Sequence, residues 1–264
     1  MADEKQTSSG RPRFYELGHD PLANAIYKFT NKERVFPTGD RRKKHRVHLP
    51  ETRFSYLVGV PEFAERPSFV LGSRKKNRIP LDYYDAAGFM LISSRFKALI
   101  DDVDPGAIEA VECDARNPKG EPLPPYWWID VIRVLDSVVD EEKSVLRFLT
   151  ESPFASGDDI EKLLYLDLQD ISFRQSIVSP ANLFRILRYT ARPIVGERLA
   201  DVIREAGTSG LFLTPLQPPL PEEAKYHLSF CNYPYWTNEA YGALSAPSST
   251  SETESTVQHP ANFS

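Results

Sequence analysis

Five histidines, two cysteines and several paired carboxylates are the side chains of this sequence with chemistry to offer. His45 and His48 stand three apart and can share a face. No thiol or carboxylate at ligand spacing completes a metal site around them, and the surrounding run Arg41-Arg42-Lys43-Lys44-His45-Arg46 repels a cation. Cys231 follows His227 by one helical turn, but that segment has no helical pattern to hold a thiolate against an imidazole. Asp101-Asp102, Asp158-Asp159, Asp167 and Asp170 supply carboxylates; general acid/base work needs two of them close in space, and a solvated acidic face accounts for them equally well. The signatures G-x-S-x-G, G-x-G-x-x-G, H-E-x-x-H and the phosphate-cradling Walker loop are all missing. The sequence therefore gives no catalytic residue, no metal ligand set and no cofactor, and the expectation is a protein that is not an enzyme.

Binding is the remaining chemistry. Arg41, Arg42, Lys43 and Lys44 form a dense basic cluster, with a second at Arg74-Lys75-Lys76-Asn77-Arg78. Such a cluster suits phosphates along a track, and it suits an acidic protein surface. No recognition helix or RNA-binding signature accompanies it, so a protein partner is expected before nucleic acid. The alternative, a nucleic-acid-binding or regulatory module, rests on the same residues. Tyr235 and Trp236 are the aromatic candidates for a partner contact, because large aromatics anchor interfaces. Trp127-Trp128 reads as core.

These residues need a frame. The chain has 264 residues, 41% of them hydrophobic and 26% charged, enough for one sizeable core. RFSYLVGV from Arg53, PSFVLG from Pro67 and GFMLIS from Gly88 read as strands, rich in β-branched and aromatic residues. Ser93 or Ser94 can cap a helix carrying Phe96, Leu99, Ile100 and Val103 on one face, stopped by Asp104-Pro105-Gly106 and followed by a strand from Ile108 to Cys113. RPIVG leads into a second helix with Leu199, Val202, Ile203 and Ala206 at the same spacing, then Gly207 and the strand LFLTPL. Laid with Arg95 on Arg198, the two units align without gaps. An internal duplication explains that, and so do two unrelated amphipathic helices that end in turns. Tyr126 to Asp140 has a mixed period, and its β-branched content favours a strand. Glu161 to Asp167 and Asn182 to Tyr189 read as further strands.

Charge is uneven. Residues 1–80 hold 17 Lys and Arg against 9 Asp and Glu, and the remainder holds 15 against 28. That asymmetry fits a polyanion-binding arm or two parts of one fold that attract each other. No apolar run reaches the length of a membrane span, and the N-terminus has no secretory h-region. With only Cys113 and Cys231, both expected as buried thiols, a cytoplasmic setting follows.

Three segments carry a resemblance. IPLDYYDAAGFMLISSRFKALIDDVDPGAIEAVECDAR has a Pro-Asp segment, a small-residue turn, a serine opening a helix and a following strand. YWWIDVIRVLDSVVDEEKS is an aromatic and aliphatic strand ending in Asp140 and Ser144. RPIVGERLADVIREAGTSGLFLTPL closes with helix, glycine and strand. In this order they resemble the Myxococcus-type immunity-protein family of bacterial polymorphic toxin systems. The likeness spans about half of the chain, weakest over the basic first 80 residues. It implies a protein that binds and blocks a cognate toxin without catalysis.

The expectation is thus one α+β domain over 13–244, with 79–216 its best-matching part, between a disordered N-terminus (1–12) and a disordered Ser/Thr-rich tail (245–264). Its architecture would be a largely antiparallel sheet with two amphipathic helices packed on it. Nothing in the sequence fixes the oligomeric state.

Overall fold

The computed structural model describes residues 13–20, 23, 25–36, 43–48, 55–73, 80–86, 89–148 and 165–216. The ends expected to be disordered, 1–12 and 245–264, and the stretch 217–244 lie outside the described residues. In chain order the elements are β1 (Phe14–His19), β2 (Ala25–Phe29), α1 (Lys32–Val35), β3 (Lys43–His48), β4 (Ser55–Pro61), β5 (Ser68–Ser73), β6 (Tyr83–Ala86), β7 (Phe89–Ser93), α2 (Ser94–Val103) and β8 (Ile108–Arg116). They continue with β9 (Tyr126–Val131), β10 (Val134–Leu135), β11 (Val145–Phe148), β12 (Tyr165–Asp170), α3 (Gln175–Val178), β13 (Leu183–Ile186), β14 (Tyr189–Gly196), α4 (Glu197–Glu205) and β15 (Leu211–Pro215). Among the described residues no helix is long and apolar enough to cross a membrane.

The architecture is α+β. The single sheet expected from sequence divides into a six-stranded sheet, β2-β5-β8-β9-β7-β6, a five-stranded sheet, β10-β13-β14-β1-β15, and the two-stranded ribbons β3-β4 and β11-β12. Two described pairings, β5 with β8 and β10 with β13, are parallel, and the others are antiparallel.

The two strand–helix–strand units share topology and register. In the first, β9 runs between β7 and β8; in the second, β1 runs between β14 and β15. Ser93 pairs with Tyr126 as Gly196 pairs with Phe14, and Glu112 with Trp127 as Pro215 with Tyr15. Ala110 meets Ile129 as Leu213 meets Leu17. The preceding strand follows suit, since Tyr83 opposes Ile92 as Leu183 opposes Val195. This is the same superposition as Arg95 on Arg198. The second unit differs in one respect: its central strand comes from the chain's N-terminus.

Alternation along the strands explains why both sheets bury both faces. Between the units, Ile92, Ile129, Val131, Tyr15, Leu17, Leu211 and Leu213 pack with Phe96, Ile100 and Val103 of α2 and with Leu199, Ala200 and Ile203 of α4. Ser93 opens α2 by accepting the Phe96 N–H at 3.2 Å. On its far face the six-stranded sheet presents Leu91, Tyr126 and Trp128 to Val35, Phe36 and Val60. There Phe29, Phe36, Phe63 and Phe69 surround the Trp128 ring, with centroids 5.2–6.2 Å away. The five-stranded sheet covers its far face with Phe173, Val178 and residues of β12 packed on Phe14, Phe184 and Ile194. Two-sided burial is why these strands read as near-continuous apolar runs.

Three buried aspartates cross the seams. Asp130, fully buried on β9, accepts from Gly59 N–H on β4 (3.0 Å), Val131 N–H (3.0 Å) and the Arg185 guanidinium on β13 (2.7 Å). Asp104 at the end of α2 accepts from the backbone of Asn182 and Leu183 and from Arg133. Asp82 accepts from Ser93 Oγ (2.8 Å), Ser209 N–H (2.9 Å) and Arg95. Gly59, at φ +91, is required because a side chain there would meet Glu109 and His45.

Two readings change. Asn182 to Tyr189 is a hairpin, with Ile186 opposite Tyr189 across Leu187-Arg188. The strand expected from Tyr126 to Asp140 leaves its sheet after Val131, and β10 joins the other sheet. The basic run, whose composition fits a loop or a strand end, continues into β3 from Lys43. Of the strand expected at Glu161 to Asp167, described residues begin at Tyr165.

Candidate functional site

The segment that crosses between the sheets builds a cleft among the described residues. Arg185 N–H donates to Arg133 O (2.8 Å) and Leu187 N–H to Leu135 O (2.9 Å), which fixes β10 against β13. Asp136 then turns the chain: its carboxylate accepts the Ser137 N–H at 2.7 Å, and Ser137 takes φ 51, the one non-glycine in the left-handed region among the described residues. Val138 and Val139 bury beneath the turn, and Arg174 N–H donates to Val138 O (2.8 Å). A single 3-10 turn, Glu141–Lys143, follows. Asp140 and Ser144, the two residues that end the resemblance motif, hold this turn in place. Ser144 Oγ donates to Asp140 O (2.6 Å) and accepts from Ser172 N–H (2.9 Å), while Lys143 reaches the Asp140 carboxylate at 2.7 Å.

Between this segment, β12 and the β13–β14 turn lies a cleft of about 340 Å³. Its apolar wall is Val138, Val139, Ile186 and Leu187, and its charged groups are Asp136, Glu141, Glu142, Arg174 and Arg188. Glu141 accepts from Arg188 Nη1 at 2.9 Å and from the Tyr165 hydroxyl at 2.5 Å. Burial raises the Tyr165 pKa well above the ordinary phenol value, and its bond to Glu141 raises it further, so Tyr165 stays a donor. Lys143 beside Asp140 holds that carboxyl below its ordinary range, and Arg174 adds to the effect. Asp136, Glu142 and the Arg174 side chain form no ion pair with a described residue. A phenol locked as donor and a carboxylate committed to a guanidinium form a fixed wall. The free charges at the mouth are suited to binding a charged group.

Arg41, Arg42, Tyr235 and Trp236 lie outside the described residues, and Lys43 and Lys44 are placed only by their backbone at the start of β3. His45 meets a carboxylate that sequence spacing did not reveal, Glu109 of β8 at 3.3 Å. Among the described residues no group of three or more His, Cys, Asp or Glu is arranged to hold a metal ion. Cys113 is buried and reduced, and burial pushes its thiol up to about 12; Cys231 and His227 lie outside the described residues. Trp128 is core, while half-buried Trp127 donates to Ser94 (3.1 Å) under the Lys97 ammonium. The cleft residues were missed because Tyr165, Arg174 and Arg188 lie far along the chain from Asp136 and form no local pattern with it.

Comparison with known proteins gives one family model, described as Immunity protein family (Imm11), that matches residues 4–217. No curated protein matches the chain.

Proposed function

Because the chain belongs to the Imm11 family of immunity proteins, we propose that it binds a cognate bacterial toxin and holds it inactive by covering its active site or substrate entry. The family match over residues 4–217 carries this reading. The fixed ion pairs of the cleft agree with a role in binding. Neutralisation is stoichiometric and involves no catalysis by this chain. The complex forms in the cytoplasm, where such a toxin acts. Arg41, Arg42, Lys43, Lys44, Tyr235 and Trp236 remain proposed additional contacts, a basic and an aromatic set for the rim of a large interface.

Interfaces of this kind cover about 800 Å² on each partner, so a stable complex should survive gel filtration. The test is co-expression with the product of the adjacent reading frame, scoring complex formation and growth together. A complex that restores growth is expected. No complex and no rescue from a toxic neighbour would overturn the reading.

A further inference from the structure

We propose that the cleft beside the Asp136–Glu142 segment receives a cationic side chain of the toxin, a lysine or an arginine; this rests on the immunity reading above. The shape argues for a side chain. At about 340 Å³ the cleft is near the lower limit of ligand pockets, room for one long side chain and not for a helix. Its wall of Val138, Val139 and Leu187 suits the aliphatic stem of Lys or Arg, whose charged head then reaches the mouth.

Charge selects the sign. Glu141 and Arg188 satisfy each other, which leaves Asp136 and Glu142 against Arg174. Arg174 also acts on the neighbouring Asp140, which lowers what it can offer an anion. The balance at the mouth is negative. The long-range field has the same sign, because residues 81–264 hold 28 acidic and 15 basic side chains, and so a basic partner is drawn to this part of the chain. Val145, one of two large hydrophobic residues exposed among the described residues, follows directly after the Glu141–Lys143 turn and its Ser144 anchor. Its exposed apolar side chain stands four residues after the cleft-lining Glu141, and interface hot spots combine a filled pocket with surrounding contacts that exclude water.

The experiment measures affinity of the full chain for the product of the adjacent reading frame, by calorimetry at two salt concentrations. Glu142→Lys and Arg174→Glu are compared with wild type, and Asp101→Lys on α2 serves as a remote control. Both cleft side chains are exposed and form no ion pair with a described residue, so the variants should keep the wild-type circular dichroism spectrum. Glu142→Lys should weaken binding at least tenfold, Arg174→Glu should strengthen it and steepen its salt dependence, and Asp101→Lys should stay within about threefold. If wild type binds and Glu142→Lys binds equally well, the cleft proposal is overturned while the immunity reading stands. Opposite signs for the two cleft variants would mean an anionic occupant and would overturn it as well. No binding by wild type overturns both.

Discussion

Removing the carboxylate of Asp130 should destabilise the described fold strongly. Asp130 is 0% exposed, and its partner Arg185 has 11% of its side chain exposed. The pair joins β9 of one sheet to β13 of the other, and the second carboxylate oxygen holds Gly59 N–H and with it the β3-β4 ribbon. In Asp130→Ala the guanidinium keeps one bond, from Nε to Val131 O at 3.2 Å, but loses its counter-charge. Breaking one partner of a buried ion pair costs about 3–5 kcal/mol, and the Gly59 N–H left without its acceptor adds about 1–3 kcal/mol. The bond that Arg185 retains argues for the lower part of that range, so about 4 kcal/mol is expected in total, a large share of a typical domain's stability. Urea unfolding followed by tryptophan fluorescence measures it as a fall in midpoint at constant slope. The double variant Asp130→Leu/Arg185→Met should recover more than half of the loss, because apolar replacement of both partners leaves no orphaned charge. A loss below about 1 kcal/mol for Asp130→Ala, or a double variant as unstable as the sum of its singles, would refute the reasoning.

Other outcomes follow from the same structure. Burial by itself would raise the Asp82 carboxyl, but Arg95, Ser209 and Ser93 together bring it below its ordinary value; its stabilisation is therefore complete above about pH 4 and is lost as pH falls through the lowered value. Asp82→Asn should be less stable at neutral pH, with a shallower decline below about pH 4 in acid titrations followed by circular dichroism. Gly59→Ala forces a Cβ into a left-handed position against Glu109 and His45, and should lower the unfolding free energy measured in urea by more than about 1 kcal/mol. Trp128→Ala empties the centre of four phenylalanine rings and should cost about 3–5 kcal/mol in the same assay. In a Cys231→Ser background, the Cys113 thiol, pushed up to about 12 by burial, should resist a thiol reagent at pH 8 until the protein is unfolded.

Local signals made much of the frame legible. Helix α2 with its Ser93 cap, the strand at Tyr126 and the strand–helix–glycine–strand unit ending at Leu216 follow from spacing, capping and turn residues, all carried within a few positions. The ungapped match of Arg95 on Arg198 anticipated a shared register that the strand pairs display. Pairing across the chain was hidden. FYELGH near the start of the sequence shows no strong strand period, yet as β1 it lies between β14 and β15 in the five-stranded sheet and pairs antiparallel with both. In sequence Asp130 is one acidic residue in the apolar run YWWIDVI, and nothing local identifies Arg185 and Gly59 as its partners.

By itself, the sequence determined the α+β class and the helix, cap and strand signals of the two similar units, because periodicity, caps and turn residues are properties of neighbours. Tertiary structure decided how the strands divide between sheets, which aspartates are buried and what surrounds the cleft. Those depend on contacts between residues tens to more than a hundred positions apart, where burial and charge pairing, invisible to local spacing, set the energy.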